Sequence, residues 1–319
     1  MASTPRRTAT RGKAQNASSP RVTRDDSRAG SAARPILDLG RPGDAVGRLI
    51  ELALQEDVGP GDVTAEACVA ADARGSALIV AKEPLIVSGV SAAARVFRAL
   101  DPECQLEPVL GEGAAAEAGA GVLRVRGKLR AILSGERTAL NLLQRLCGIA
   151  TLTQKYARAL QGTGTRLLDT RKTTPGMREL EKAAVRAGGG KNHRGALFDG
   201  ILVKDNHAAA AGGIGEAVRR AKAAASPFLR VEAEVSSPEQ IEEALAAGAD
   251  LLLLDNLDDR ALSAAVRRVA GRVPTEASGG VTLDRLQRIA ACGVDYVSVG
   301  ALTHSAPAVD LSLLIEARA

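Results

Sequence analysis

Tryptophan is absent from this chain of 319 residues, and aromatic residues make up only 2% of it. Proteins that bind single-stranded nucleic acid stack bases on aromatic rings, so that function class is disfavoured. The core must instead be built from Ala, Leu, Val and Ile. Cysteine is also scarce. Cys68, Cys104, Cys147 and Cys292 lie far apart and lack Cys-x-x-Cys spacing. They read as reduced core thiols of a cytoplasmic protein rather than as disulfides or zinc ligands. No apolar run reaches the roughly 20 residues needed to span a bilayer. No Gly-x-Gly-x-x-Gly follows a first strand, so the dinucleotide fingerprint is missing.

The body of the chain has little excess charge of either sign. Residues 1–34 hold eight Lys or Arg against Asp25 and Asp26, a balance of +6 out of a total of +5, so residues 35–319 sum to −1. A global basic field for nucleic acid is therefore not expected. The tail itself is rich in Ser, Ala, Thr and Arg with no apolar period, and it reads as disordered over residues 1–36. Its composition resembles an organelle transit peptide, but it lacks a clear amphipathic stripe, so a plain extension is the expectation.

What is present begins near Leu37. "DAVGRLIELALQEDVG" reads as a helix with Val46, Leu49, Ile50 and Leu54 on one face, and "GPGDVT" (59–64) as a turn. Two short strands in "SALIVAKEPLIVSGV", a helix in "SAAARVFRAL", and further short strands to about residue 133 suggest a small α/β domain. A long helix is expected over 135–160. Then a rhythm starts. Six apolar runs, "RLLDT", "GILVK", "LRVEAEV", "DLLLLDN", "PTEASGG" and "VDYVSVG", alternate with one-sided helical patterns. Continuous apolar strands suit a parallel sheet covered on both faces. Short-looped βα units imply a barrel or a doubly wound sheet; an open, incomplete α/β barrel is the expectation.

Chemistry on such barrels sits at the C-terminal strand ends, and these strands end in costly residues. The first delivers Asp169, Arg171 and Lys172; the second Lys204, Asp205, Asn206 and His207; the third Glu232 and Glu234. The fourth ends in Asp255 and Asn256, the fifth in Glu276, Ser278, Gly279 and Gly280, the sixth in Gly300, then Thr303 and His304. Before the second strand, "GGGKNHRG" sets Lys191, His193 and Arg194 behind a triple Gly read as flexible, so that all three reach the same mouth. Two unit charges about 4 Å apart repel by roughly 4 kcal/mol at an effective dielectric near 20. Arg171, Lys172, His193, Arg194 and Lys204 gathered together therefore need anions. Either internal carboxylates such as Glu234 and Asp255 supply them, or a ligand with several negative charges does. Arg clamps carboxylate or phosphate bidentately, and Lys acts as a point charge. "SGG" and "VGALTH" place small residues between strand and helix, where backbone N–H groups favour a phosphate monoester. His193, with cationic neighbours, reads as a ligand-binding residue. His207 and His304 read as local caps, and Thr173 and Thr174 as fixing the turn after Lys172.

The string "DTRKTTPGMRELEKAAVRAGGGKNHRGALFDGILVKDNH" resembles the signature of the quinolinate phosphoribosyltransferase family. So do "LQEDVGPGDVT", "SGERTALNLLQRLCGIAT" and "GVDYVSVGALTHS", in order from about residue 44 to the C-terminus. The resemblance implies an α/β fold: an N-terminal α/β sandwich domain at 37–145, an open barrel at 146–305 and a C-terminal segment, 306–319, packing back on the N-terminal domain. It implies transfer of a phosphoribosyl group from phosphoribosyl pyrophosphate to quinolinate with loss of CO₂, giving nicotinate mononucleotide and pyrophosphate. Mg²⁺ would be carried with the phosphoribosyl pyrophosphate, with no protein ligand assigned to it. The resemblance also implies a homodimer in which Arg137, from "GERT", enters the neighbouring site. With Arg171, His193 and Arg194 it would bind the quinolinate carboxylates. Lys172 and Lys204 would face the pyrophosphate and the anomeric carbon. Glu234 and Asp255 would hold the ribose hydroxyls, and Ser278, Gly279, Gly280 and Gly300 the 5′-phosphate. Lys172, Lys204, Glu234 and Asp255 are the catalytic set. Two departures from the family pattern are mild: Ala196 where Gly is expected, and Cys147 where Ser is usual.

Three other readings stay open on the residues alone. One is a related phosphoribosyltransferase of the molybdenum-transport accessory type, or one acting on nicotinate. Another is a Schiff-base aldolase using Lys172 or Lys204. The third is a non-catalytic protein that binds phosphoribosyl pyrophosphate.

Overall fold

In the computed structural model the described residues are 43–316; the tail expected at residues 1–36 lies outside them. Helix α1 (Ala45–Asp57) starts at Asp44, whose side chain accepts the Gly47 N–H at 2.6 Å. Val46 and Ile50 are buried, and Leu49 and Leu54 are half-buried beside them. The expected turn at 59–64 is shorter than its sequence suggests. Asp62 caps the Thr64 and Ala65 N–H groups and so starts a second helix, α2 (Val63–Cys68).

Strands β1 (Arg74–Ala81) and β2 (Leu85–Ile86) follow, then helix α3 (Val90–Leu100) and strands β3 (Gln105–Pro108), β4 (Ala115–Ala116) and β5 (Gly121–Lys128). Helix α4 (Leu129–Ala159) begins six residues before the expected start and runs on through residues 145 and 146. It packs on α3 and β2 on one side. Gly148 of α4 faces Pro307 so closely that a Cβ would collide with the Pro307 carbonyl. Cys147 is buried, with its sulfur 3.2 Å from both the N–H and the carbonyl oxygen of Ser88, so the thiol does the bridging a hydroxyl would do.

The second half contains β6 (Arg166–Leu168), α5 (Arg178–Ala187), β7 (Ile201–Val203), α6 (Asp205–Ala211), α7 (Ile214–Ala224), β8 (Val231–Val235), α8 (Pro238–Ala246) and β9 (Leu251–Asp255). It ends with α9 (Asp259–Val269), β10 (Thr275–Ser278), α10 (Leu283–Ala291), β11 (Tyr296–Ser298), α11 (Ala301–His304) and β12 (Leu311–Glu316). Strands β6 to β11 form one parallel sheet in the order β6-β11-β10-β9-β8-β7. Strands β6 and β7, neighbours in the chain, lie at opposite edges and are not paired. The six βα units therefore make the open barrel that was expected. Beside β6 the gap holds the loop before β7, through a single bridge between Leu168 and Lys191.

Strand β12 returns to the first half. It pairs antiparallel with β1, giving a four-stranded sheet in the order β12-β1-β5-β3. No local pattern marks residues 311–316 as a strand, because the partner β1 lies more than 200 residues away in sequence. Both halves share one hydrophobic core, and α4, which also packs on α5 and α10, contributes to both sides of it. Along β9 the pleat divides labour. Leu252 and Leu254 are almost fully buried on the helix-facing side, each worth about 1.5–3 kcal/mol of burial, while Leu253 and Asp255 face the barrel interior.

Candidate active site

The interior face of the barrel can be read at a period of two. Leu202 and Lys204, Leu253 and Asp255, Glu276 and Ser278, and Ser298 and Gly300 are successive inward residues on four strands, and all line one cavity of about 630 Å³. Glu234 lines it from β8, with Glu232 two residues deeper on the same face. The cavity also takes in Arg171, Lys172, His193, Arg194, Gly279 and Gly280. Eleven of the twelve residues picked out as site candidates thus meet at one opening. The exception is Arg137, exposed on α4 and outside this cavity.

Burial of Asp169 organises the cationic side. Its carboxylate, fully buried after β6, accepts from Lys182 Nζ at 2.5 Å, Asn192 Nδ2 at 2.6 Å and the His193 N–H at 2.8 Å. Lys182 Nζ also donates to the His193 carbonyl at 3.0 Å. This knot holds the loop that carries His193 and Arg194 at the mouth. The expectation about "GGGKNHRG" needs two corrections. The triple Gly is packed rather than flexible: a Cβ at Gly188 would strike Ala150 and Thr153 of α4, and one at Gly190 would strike Val185 and Thr153. Lys191 does not reach the mouth either. Its backbone bridges to β6 and its side chain stays outside the cavity, because Asp169 fixes a register that turns the next two residues inward.

The turn after Lys172 is held as expected. Thr174 donates its N–H and its hydroxyl to Glu181, at 3.1 and 2.8 Å, and Arg178 Nε donates to Thr173 Oγ1 at 2.9 Å. Glu181 is fully buried against Arg145. Gly300 allows the close approach of Lys172, whose Cδ would lie 2.9 Å from a Cβ there.

The cations are poorly neutralised from within. Lys204 Nζ pairs with Glu234 Oε2 at 2.7 Å. None of Arg171, Lys172 and Arg194 lies within ion-pair distance of a carboxylate among the described residues. Arg171 Nε is buried without any partner. Arg194 Nη1 donates only to the Gly200 carbonyl, at 2.9 Å. Burial, and then the neighbouring Arg171, push the Arg194 guanidinium below its usual value. Such an arrangement is stabilised by an incoming anion.

Opposite these cations lies an acidic side. Asp255 accepts from Asn256 Nδ2 at 2.6 Å. Gly279 has φ +85°, and a Cβ would collide with the Asn256 side chain, so only Gly fits there. The Ser278–Gly280 turn leads into α10, whose N-cap Thr282 lines the cavity without bonding its own helix. Backbone N–H groups in such a turn and at a helix start suit a phosphate.

At the cavity floor His193 has both ring nitrogens engaged. Nδ1 accepts the Arg194 N–H at 2.7 Å, and Nε2 lies 3.0 Å from Glu232 and 3.6 Å from Glu276. Burial alone lowers the imidazole pKa, but Glu232 and Glu276 outweigh it and the net direction is upward. The Nδ1 contact opposes that direction, since a second ring proton would face the Arg194 N–H. That geometry assigns the neutral, Nε2-protonated ring. Of the other histidines, His207 caps its helix by accepting the Lys204 N–H at 2.9 Å, as expected. His304, also read as a cap, instead lines the cavity with Nδ1 on the Ser305 hydroxyl. Asn256 and His304 were named among the residues that follow the strands, with no role in the site given, and Ser298 and Thr282 were not picked out. Their only signal was the inward pleat or the position after a strand.

A parallel six-stranded open barrel with a phosphate-suited turn and a cation-lined mouth defines an enzyme class that handles phosphorylated, multiply anionic substrates. Sequence models of the quinolinate phosphoribosyl transferase family match the chain over residues 62–147 for the N-terminal domain and 149–314 for the C-terminal domain. This chain belongs to that family. It is 43% identical to a Bacillus subtilis protein described as a probable nicotinate-nucleotide pyrophosphorylase (carboxylating), over 81% of this chain and 89% of the relative. It is 41% identical to the nicotinate-nucleotide pyrophosphorylase (carboxylating) of Mycobacterium leprae, over 85% of this chain and 97% of the relative. The solved nicotinate-nucleotide pyrophosphorylase of Francisella tularensis superposes with a TM-score of 0.82 at 39% identity, covering 89% of this chain and all of the other.

Proposed function

We propose that the protein transfers a phosphoribosyl group from phosphoribosyl pyrophosphate to quinolinate and releases CO₂, forming nicotinate mononucleotide and pyrophosphate. One observation carries this reading. Arg171, Lys172 and Arg194 meet at one cavity with no carboxylate neutralising them, a vacancy matched to a ligand with several negative charges. Relatives named as carboxylating pyrophosphorylases favour quinolinate over the molybdenum-transport alternative.

Arg171 and Arg194 take the two pyridine carboxylates by charge-assisted hydrogen bonds. His193 stands beside them, and it can donate to a carboxylate only if Nε2 turns from Glu232. Lys172 and Lys204 hold the pyrophosphate. Incoming pyrophosphate competes with Glu234 for Lys204, so the 2.7 Å pair is the resting partner of a catalytic cation. Glu234 and Asp255 hold the ribose hydroxyls, and the Ser278–Gly280 turn with Gly300 receives the 5′-phosphate. Mg²⁺ arrives as part of the phosphoribosyl pyrophosphate substrate, where it shields the leaving group's charge.

The pyridine nitrogen forms a bond to the anomeric carbon as the bond to pyrophosphate oxygen breaks, with the electron pair leaving on pyrophosphate. The transition state has oxocarbenium character. Fixed cations on the leaving group and carboxylates near the sugar stabilise its separated charges without reorganisation. The carboxylate next to the alkylated nitrogen then leaves as CO₂, the electron pair of the broken carbon–carbon bond stays on ring C2 stabilised by the adjacent cationic nitrogen, and a proton from solvent fills C2. Arg137, exposed on α4, completes the carboxylate clamp of a second subunit in a homodimer. The cytoplasm suits the enzyme, whose four cysteines are all unpaired.

Incubation with quinolinate, phosphoribosyl pyrophosphate and Mg²⁺ yields nicotinate mononucleotide and CO₂ in equal amounts. Nicotinate in place of quinolinate yields nothing. Turnover of nicotinate, or no product from quinolinate, overturns the proposal. A carbon isotope effect on the departing carboxyl reports whether decarboxylation follows transfer as a separate, slower step.

A further inference from the structure

The deepest polar group in the barrel has too many acids for its partners. Glu276 is 1% exposed and Glu232 8% exposed. Each leaves its Oε1 buried without a partner. Their Oε2 atoms converge on one His193 nitrogen, and the three groups present ligand atoms within 4.8 Å of one another. A single Nε2–H serves both carboxylates, because Nδ1 is occupied as an acceptor.

Nearby cations do not make up the difference. Lys182 is bonded to Asp169, and Lys204 to Glu234. Arg171 and Arg194 face the cavity rather than pairing with the floor. Strands β9 and β11 set Leu253 and Tyr296 beside Glu276, and Ser298, two residues beyond Tyr296, lines the same cavity. Two like charges in one dry site cannot both ionise. A cation bridging the three groups is the other way to relieve the excess.

We infer that Glu232 and Glu276 hold one proton between them, so that the floor carries a single negative charge that positions His193 and limits repulsion of the dianionic substrate above it. Glu276 is the protonated partner. Burial, then the neighbouring Glu232, push its carboxyl up to about 7. Glu276 acts through Glu232 and His193 and is a positioning residue. When it ionises, a second negative charge appears beneath the pyridine carboxylates, and the diacid loses affinity. The 5′-phosphate turn begins two residues beyond Glu276, so phosphoribosyl pyrophosphate feels this charge too, but less than the diacid placed over His193.

The inference rests on the proposed reaction, and its test separates the two. KM for each substrate is measured from pH 6 to 9 on the full chain, for the wild type, Glu276→Gln and Glu232→Gln. In the wild type, KM for quinolinate rises on the order of fivefold between pH 7 and 8, and the KM for phosphoribosyl pyrophosphate rises less. Both variants lose that rise, because neither can place two charges on the floor, and Glu276→Gln, which keeps the charge of Glu232 on His193, keeps a low KM for quinolinate at pH 6. A residue with a merely structural role would raise KM equally at every pH. Infrared spectroscopy of the unliganded wild type gives a second readout that needs no variant to fold: a carboxylic acid C=O band that disappears with a midpoint near 7. A flat wild-type KM, a rise that survives in Glu276→Gln, the absence of that band, or a stoichiometric divalent metal lost in Glu276→Gln each overturns the inference. If no quinolinate is turned over at any pH, the proposed reaction fails, while the infrared titration still decides the state of the floor.

Discussion

Replacing Asp169 with alanine would remove the acceptor on which three buried donors converge. Lys182, with its side chain 7% exposed, would lose its ion partner, and breaking a buried pair from one side costs about 3–5 kcal/mol. The Asn192 amide and the His193 N–H would lose their acceptor too, at about 1–3 kcal/mol each in isolation. These terms share one site and do not add; a total near 5 kcal/mol is expected. That is a large part of the roughly 5–15 kcal/mol by which a domain is stable, and it corresponds to a fall in Tm of about 10–15 °C. Activity should fail separately, because the loop that presents Arg194 loses its anchor; KM for quinolinate should rise about 10- to 100-fold. The pair Asp169→Leu with Lys182→Met separates the effects. It removes both charges and should recover most of the stability yet not the low KM, since the His193 N–H still lacks its acceptor. Urea unfolding followed by circular dichroism gives the first quantity and initial rates the second. Wild-type stability in Asp169→Ala, or a wild-type KM in the double variant, would refute the reasoning.

Lys204→Met should leave Tm within about 2 °C, because the pair with Glu234 is half exposed and such pairs contribute little, while kcat falls about 10²–10³-fold; a large loss of stability with a small loss of rate would contradict this. Gly279→Ala strains a backbone at φ +85° and drives a methyl into Asn256, so calorimetric titration should show weakened binding of phosphoribosyl pyrophosphate. Equal binding by this variant and the wild type would exclude the turn as the phosphate site. Cys147 is buried and its thiol is pushed up to about 12 by burial, whereas Cys68 is exposed. Iodoacetamide at pH 8 should therefore label Cys68 first and Cys147 only after unfolding, as peptide mass spectrometry would show.

Much of the site is legible in the sequence because a barrel strand alternates sides. In "EAE", "LLD" and "EAS" the inward residues stand two apart, so a charge at the end of an apolar run already indicates the mouth. The parts that were missed have physical reasons. Helix α6 is "DNHAAAA" and has no buried residue, so no apolar stripe announces it. Helix α2 hides because its cap, Asp62, sits in a Gly-rich stretch that reads as a turn. Lys191 was misplaced since its direction depends on the register set by Asp169, more than twenty residues earlier. Asn256 enters the site through a left-handed backbone, φ 55°, that no pattern of hydrophobicity records. The demand of the floor for a proton needs the distances between two strands and a loop, and these are tertiary facts.

Pairing of β12 with β1 also has a bearing on biosynthesis. Ser76 lies opposite Glu316, 240 residues later. At about 5–20 residues per second, the ribosome takes roughly ten to fifty seconds to deliver that neighbour. During this interval β1 has β5 on one side and an open hydrogen-bonding edge on the other, a template for another nascent chain. A chaperone that shields this edge would be doing so on behalf of a strand not yet translated.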